Sequence, residues 1–116
     1  MNVRDILINA LQSLGYEVAL QGSYADDEPL PESFITYQIV TSNDRSFYDN
    51  NPKISNYTIQ VVFYSKKVSL IKTVPDQVYT NLKNAGFTRQ GKGRDIPFNA
   101  DYYSWMVEYY YTERND

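Results

Sequence analysis

The tract Tyr57-Thr58-Ile59-Gln60-Val61-Val62-Phe63-Tyr64-Ser65, followed after Lys66-Lys67 by the apolar series Leu70, Ile71, Val74, Val78 and Leu82, decides how this chain folds. Its first half has a two-residue period. Tyr57, Ile59, Val61 and Phe63 point to one face, and Thr58, Gln60, Val62 and Tyr64 to the other. β-branched and aromatic residues dominate it, and such side chains pack well on a pleated surface. The second half changes period. Ile71, Val74, Val78 and Leu82 recur three or four apart, which makes one stripe on a helix. A long strand followed by an amphipathic helix must lay the helix stripe on the strand's sheet. The rest of the chain reads as cover for that unit or as its extension.

The helical half carries Pro75, which lacks a backbone N–H and tends to kink a helix. Ser69 can cap a helix that bends at Pro75, or Thr73 can cap one that starts there with Pro75 and Asp76 in its first turn. Because Leu70 and Ile71 belong to the stripe, helix is expected on both sides of Pro75. Gly86 ends it after Asn84-Ala85.

Working outward to the N-terminal side, Val3, Ile6, Leu7, Ala10, Leu11 and Leu14 form a second stripe, predicting a helix over 3–14. Asn2 caps it, Asp5 lies three residues later, and Gly15 suits a left-handed C-terminal cap. Tyr16, Val18 and Leu20 alternate, a pattern that fits a short strand or an extended crossing segment. Gly22 to Ser33 reads as a loop. Its prolines, Pro29 and Pro31, do not belong inside a paired strand. Its acids, Asp26-Asp27-Glu28, lack the alternating oxygen ligands and closing Glu of a calcium loop and read as a solvated acidic loop.

Phe34 to Thr41 is the next expected strand. Ser42 to Ile54 is a polar connection longer than the about 2–5 residues of a usual hairpin loop. It either extends the hairpin beyond the sheet or projects as an arm. Phe47 and Tyr48 in that setting are either interface anchors or residues folded back on the domain.

After the second helix, Phe87 to Gln90 starts a third strand, and Gly91-Lys92-Gly93-Arg94 reads as a turn or flexible tip. No Lys-Ser/Thr pair opens a helix after it, so it is not a phosphate loop. Asp95 to Asp101 is irregular. Tyr102 to Thr112 alternates as a last strand, and Glu113 to Asp116 is a charged tail. The expected order is helix, strand, strand, helix, strand, strand. Strands joined without a helix pair antiparallel, giving an α+β fold: a four-stranded antiparallel sheet with two helices on one face. Val62, Tyr64, Met106 and Tyr110 are then placed on the opposite face, a natural subunit contact if left bare.

Composition bounds the function. At 116 residues the chain is read as one domain, residues 1–116. It has no Cys and no His, so disulfides, thiolate metal sites and imidazole-based triads are excluded. A formal charge of -3 without a basic run argues against nucleic-acid recognition. No apolar stretch approaches the roughly 18–20 residues of a membrane span, and Met1 to Asp5 lacks the shape of a secretion signal. A soluble protein kept in the cytoplasm is expected, with no metal and no cofactor. The 12 Tyr suit half-buried sheet faces and protein interfaces alike.

The order of elements, the tract Phe34-Ile35-Thr36-Tyr37, the strand ending Phe63-Tyr64-Ser65-Lys66, the helix closing on Ala85-Gly86-Phe87, and the aromatic strand ending Glu108-Tyr109-Tyr110-Tyr111 together resemble the tail-terminator and tail-completion (head-tail joining) proteins of long-tailed bacteriophages and prophages. The resemblance spans nearly the whole chain and rests on a pattern of elements, not a catalytic signature. It implies a virion protein assembled in the host cytoplasm that closes as a ring, typically a hexamer, on the head-proximal end of the tail tube. That ring stops addition of the major tail tube protein and offers a surface to the head connector. No reaction is catalysed. On this reading Asp44, Arg45, Phe47 and Tyr48, the tip residues Lys92 and Arg94, and the sheet-face residues Tyr64 and Tyr110 are the subunit or tube contacts.

Three other readings compete. A head-closure or connector-adaptor neck protein has the same ring-forming character. An aromatic-sheet binding module would stack bases on Tyr64, Tyr110 and Trp105. An enzyme would use Asp95 and Asp101 as acid and base, in a segment with no pocket signal.

Overall fold

A computed structural model describes residues 2–23, 29–45, 54–96 and 101–114, with 41–45 and 114 as backbone. Its elements run α1 (Val3–Gln12), β1 (Glu17–Leu20), β2 (Ser33–Arg45), β3 (Ile54–Ser65), α2 (Val68–Asn84), β4 (Thr88–Asp95) and β5 (Tyr103–Arg114). The five strands form one mixed sheet in the order β1-β2-β3-β5-β4. The expected four-stranded antiparallel sheet is therefore corrected. Glu17–Leu20 is a strand, and it pairs parallel with Phe34–Tyr37 at the sheet edge.

Chain length explains the parallel pairing. Residues 21–32 separate the two strands, about the dozen residues that a parallel connection needs. Pro29 and Pro31 fall in that connection, outside the strands, where no ladder bond is asked of them. Leu30 packs on the face away from the helices, and the Tyr102 hydroxyl donates to the Pro31 carbonyl at 2.7 Å.

The two helices share one face. Val3, Leu7 and Leu11 of α1 and Val74, Val78 and Leu82 of α2 are buried with Ile35, Tyr37, Ile59, Val61, Phe63, Val107 and Tyr109 of the sheet. Each large apolar side chain buried there stabilises the fold by about 1.5–3 kcal/mol. Asn2 Oδ1 accepts from the Asp5 N–H at 2.9 Å, the expected cap of α1. Asn81 Nδ2 donates to the Ala10 carbonyl at 3.2 Å and to Ser13 Oγ at 2.7 Å, which clamps the end of α1 onto α2. Helix α2 runs through Pro75, but neither Ser69 nor Thr73 caps it. Its N-cap is Lys67, whose side chain makes no capping hydrogen bond. Thr73 Oγ1 instead faces back to the Ser69 carbonyl at 3.4 Å.

The opposite face divides in two. Near β4 and the start of β2, Phe34, Val62, Tyr64 and Met106 make a second small core, covered by Leu30, Ile96 and Tyr102. Phe34 stacks on Tyr64 with centroids 4.6 Å apart and meets Tyr102 edge-on at 5.7 Å. Farther along, the rungs turn polar: Gln38, Gln60, Glu108 and Gln90 are in register across four strands, followed by Thr58, Tyr110 and Thr88. The bare, tyrosine-lined face expected from alternation is thus apolar where chain covers it and polar where it is open.

Two irregularities shape the edges. At Ile39/Thr41 the register slips by one residue, and Val40 is the extra residue of a bulge in β2. In β4, Gln90 pairs with Glu108 but Arg94 pairs with Met106. The expected Gly91–Arg94 tip is therefore a wide bulge inside a strand. Gly91 (φ +74°) and Gly93 (φ +94°) take left-handed backbone there. At Gly93 an added Cβ would lie 2.5 Å from Trp105 Nε1 and 2.6 Å from the Met106 carbonyl oxygen. Only glycine lets β4 come this close to β5.

Beyond the Tyr57–Tyr111 rung the sheet continues as a three-stranded arm. Ser42 to Arg45 pair with Tyr57 to Ile54, and those with Tyr111 to Arg114. The Ser42–Ile54 connection thus begins as an extended hairpin. The molecule measures 52 × 29 × 23 Å, and its radius of gyration of 15.4 Å exceeds the about 13 Å of a compact domain of this length.

Candidate functional site

A concavity lies where the N-terminal half of α2 overhangs β5 and β4. Register sets it up. Phe63, Trp105 and Asp95 share one rung on the helix face, and Ile59, Tyr109 and Arg89 another. Between α2 and these rungs is a cleft of about 530 Å³. Val68, Ile71, Pro75, Trp105 and Val107 form its apolar surface, and Lys72, Arg89 and Lys92 bring cations to it against Asp76 and Asp95. The β4 bulge builds the outer wall: Trp105 Nε1 donates to the Lys92 carbonyl at 3.1 Å. The guanidinium of Arg89 stacks on Tyr79 at 3.8 Å from the ring centroid. That contact fixes one cation beside the cleft through a cation–π interaction.

Beneath Arg89, Tyr109 is fully buried, and its hydroxyl has no hydrogen-bond partner among the described residues. Burial pushes its pKa well above the ordinary tyrosine value. The Arg89 charge opposes that rise, and Tyr79 and Asp76 add to it. Burial likewise raises the pKa of Tyr64, against a hydrogen bond with Thr36.

The residues singled out from sequence scatter. Lys92 lines the cleft, whereas Arg94 is in register with Met106 toward the opposite face. Tyr64 is only 5% exposed in the second core, which leaves little of it to meet a partner. Tyr110 is 42% exposed in the polar half of that face. Asp44 and Arg45 end β2, opposite Ser55 and Ile54 in the arm. Phe47, Tyr48 and the acidic run Asp26-Asp27-Glu28 lie outside the described residues.

The residues named for the base-stacking and acid–base readings lie apart. Trp105 lies on the helix face while Tyr64 and Tyr110 lie on the other, so the three do not form one stacking platform. Asp95 lines the cleft and Asp101 does not. Among the described residues no group of three or more His, Cys, Asp or Glu could hold a metal ion, and no helix is long and apolar enough to cross a membrane.

Alternation in β5 alone marked Trp105 only as a sheet residue. The signal that it borders a cleft was Gly93, whose role needs the β4–β5 register to be read. No protein-family model matches the chain, and no curated protein matches it.

Proposed function

We propose that this chain is a structural virion protein of a phage or prophage: a tail terminator that closes as a ring on the head-proximal end of the tail tube and ends its polymerisation. The observation that carries this reading is the β2–β3–β5 arm. Among the described residues the hydrophobic core stops at Tyr57 and Tyr111, yet the ladder runs three rungs farther, to Ile54 and Arg114. Ordering each residue costs about 1–2 kcal/mol of backbone entropy, and among the described side chains of these rungs only Ser55 is buried, and it is polar. An ordered polar arm of this kind suits contact with a second chain. β1 and β4 are the edge strands, and among the described residues no further strand pairs with either, which suits a protein completed by its neighbours. A ring that covers the growing end needs only shape and surface.

The test is a polymerisation assay with the cognate tail tube protein. Added in ring-stoichiometric amounts, the chain stops tubes at the length reached and sits at one end in micrographs. Unchanged tube growth refutes the reading. Binding to the head connector without any effect on tubes favours a head-closure role instead.

A further inference from the structure

The cleft between α2, β4 and β5 differs in charge from the chain as a whole. The sequence holds 11 Lys or Arg against 14 Asp or Glu. At the cleft the balance reverses: Lys72, Arg89 and Lys92 stand against Asp76 and Asp95. Lys72 comes from α2, and Arg89 and Lys92 come from β4, so cations border the apolar surface from both the helix and the strand side. Among the described residues none of the three is in an ion pair. Arg89 is held by its stack on Tyr79, while Lys72 and Lys92 are exposed. Such side chains lay their stems on apolar surface and keep their charged heads in water, within reach of a partner's carboxylate.

Two further features narrow the ligand. The floor is apolar and accessible: Val68 is 47% exposed beside Ile71 and the half-buried Trp105. The cleft's volume of about 530 Å³ lies within the roughly 300–1,000 Å³ of ligand pockets, enough for a few side chains. The rim is also an edge. Among the described residues no strand pairs with the outer side of β4, so main-chain donors and acceptors border the cleft. An extended peptide satisfies such groups, which a simple carboxylate does not. Gly91 to Gly93 bulge out of the ladder, so the rim suits a short segment and not a full added strand.

We infer that this cleft binds a short acidic segment of another protein. One apolar side chain of the segment lies on Trp105, Val68 and Ile71, and the carboxylates beside it meet Lys72, Arg89 and Lys92. Opposite charge steers the segment in and selects against basic ones, which would set like charges together. Asp76 and Asp95 temper that attraction, so charge alone does not hold a partner and the apolar anchor is needed as well. The inference goes beyond the ring proposed above and does not depend on it.

Trp105 is the only tryptophan, so fluorescence reports on the floor without a label. The full chain is titrated at about 0.1 M salt, where charges beyond about 10 Å are largely screened. The probes are end-blocked peptides: a leucine between aspartates, the same with glycine for leucine, and the same with lysines for aspartates. Calorimetry gives the affinity and acrylamide quenching the shielding of Trp105. The leucine–aspartate peptide binds and shields Trp105, and the other two bind at least about tenfold more weakly. Lys72→Glu and Lys92→Glu, on different elements, each weaken binding about three- to tenfold, because reversal turns an attraction into a repulsion of similar size. Arg94→Glu makes the same charge change on β4 but toward the opposite face, and it leaves affinity nearly unchanged. Melting temperatures verify that the variants fold. Absence of shielding by the leucine–aspartate peptide at the highest concentration reached overturns the inference. So does equal binding of the glycine or lysine peptide, or a loss from Arg94→Glu as large as from Lys92→Glu. Tighter binding of a short oligothymidylate overturns it too, as does self-association that shields Trp105 with no peptide added. Tube protein is absent from this experiment, so a failure here and a failure to cap tubes are separate results.

Discussion

Replacing Gly93 by alanine tests the packing of the β4 bulge directly, and Gly91 supplies the control. Both residues have left-handed backbone, with φ of +94° and +74°. Alanine at either position therefore carries the cost of an L-residue in that region, about 1–2 kcal/mol. The surroundings differ. A Cβ on Gly91 meets nothing within 4 Å, whereas one on Gly93 meets Trp105 Nε1 at 2.5 Å, the Met106 carbonyl oxygen at 2.6 Å and Val107 Cγ2 at 2.6 Å. Two of these neighbours cannot simply swing away: one is backbone of β5, and the other is the indole held by the Lys92 carbonyl. Relieving such overpacking costs about 1–3 kcal/mol more. Gly91→Ala is thus expected to lose about 1–2 kcal/mol and Gly93→Ala about 2–5 kcal/mol. For 116 residues a loss of 1 kcal/mol lowers the melting temperature by about 4 °C. Thermal and urea unfolding measure both variants. Gly93→Ala also breaks the indole bond and shifts Trp105 emission to the red, which Gly91→Ala does not. If the two variants agree within about 0.5 kcal/mol with unchanged emission, the close approach of β4 to Trp105 is wrong.

Two further outcomes concern buried tyrosines. Tyr109→Phe removes a hydroxyl that has no partner among the described residues, so stability is unchanged or rises by up to about 1–2 kcal/mol; a loss above about 1 kcal/mol in urea unfolding shows that the hydroxyl is bonded. Alkaline pH acts on the same group and on Tyr64. Their native pKa values stand above the ordinary 10.0 because burial disfavours the phenolate, so the native state holds these protons more tightly than the unfolded chain does. Stability from this source is complete below pH 10 and falls as pH rises above it. Urea unfolding across the alkaline range shows the decline, and Tyr109→Phe makes it shallower; an equally steep decline in that variant excludes Tyr109 as a cause.

Periodicity was a good guide where an element buries one long face. Ile59, Val61 and Phe63 marked β3, Val3, Leu7 and Leu11 marked α1, and the stripe from Leu70 to Leu82 marked helix on both sides of Pro75. It failed where pairing, not burial, makes the element. Glu17–Leu20 has four residues, too few for alternation to separate a strand from an extended crossing, and its parallel partner lies beyond a crossover. Gly91-Lys92-Gly93-Arg94 looks like a turn in sequence because glycines favour turns. In the fold the same glycines let a strand bulge inward over an indole. Alternation put Tyr64 on the correct face but could not show that Leu30 and Tyr102 cover it. The cleft was illegible for a related reason: it is assembled by α2, β4 and β5 from residues that are unremarkable one by one.

The position of β5 has a consequence for how the molecule comes into being. It follows every other strand in the chain, yet it sits inside the sheet, with β3 on one side and β4 on the other. During synthesis β2 and β3 can zip together early, whereas β4 must wait without a ladder until Tyr103–Arg114 has been made and threaded between its neighbours. A nascent chain halted before that point would hold its α2 stripe over half a floor. The joining of the two halves is then a late, single event, and the cleft beside Trp105 does not exist before it.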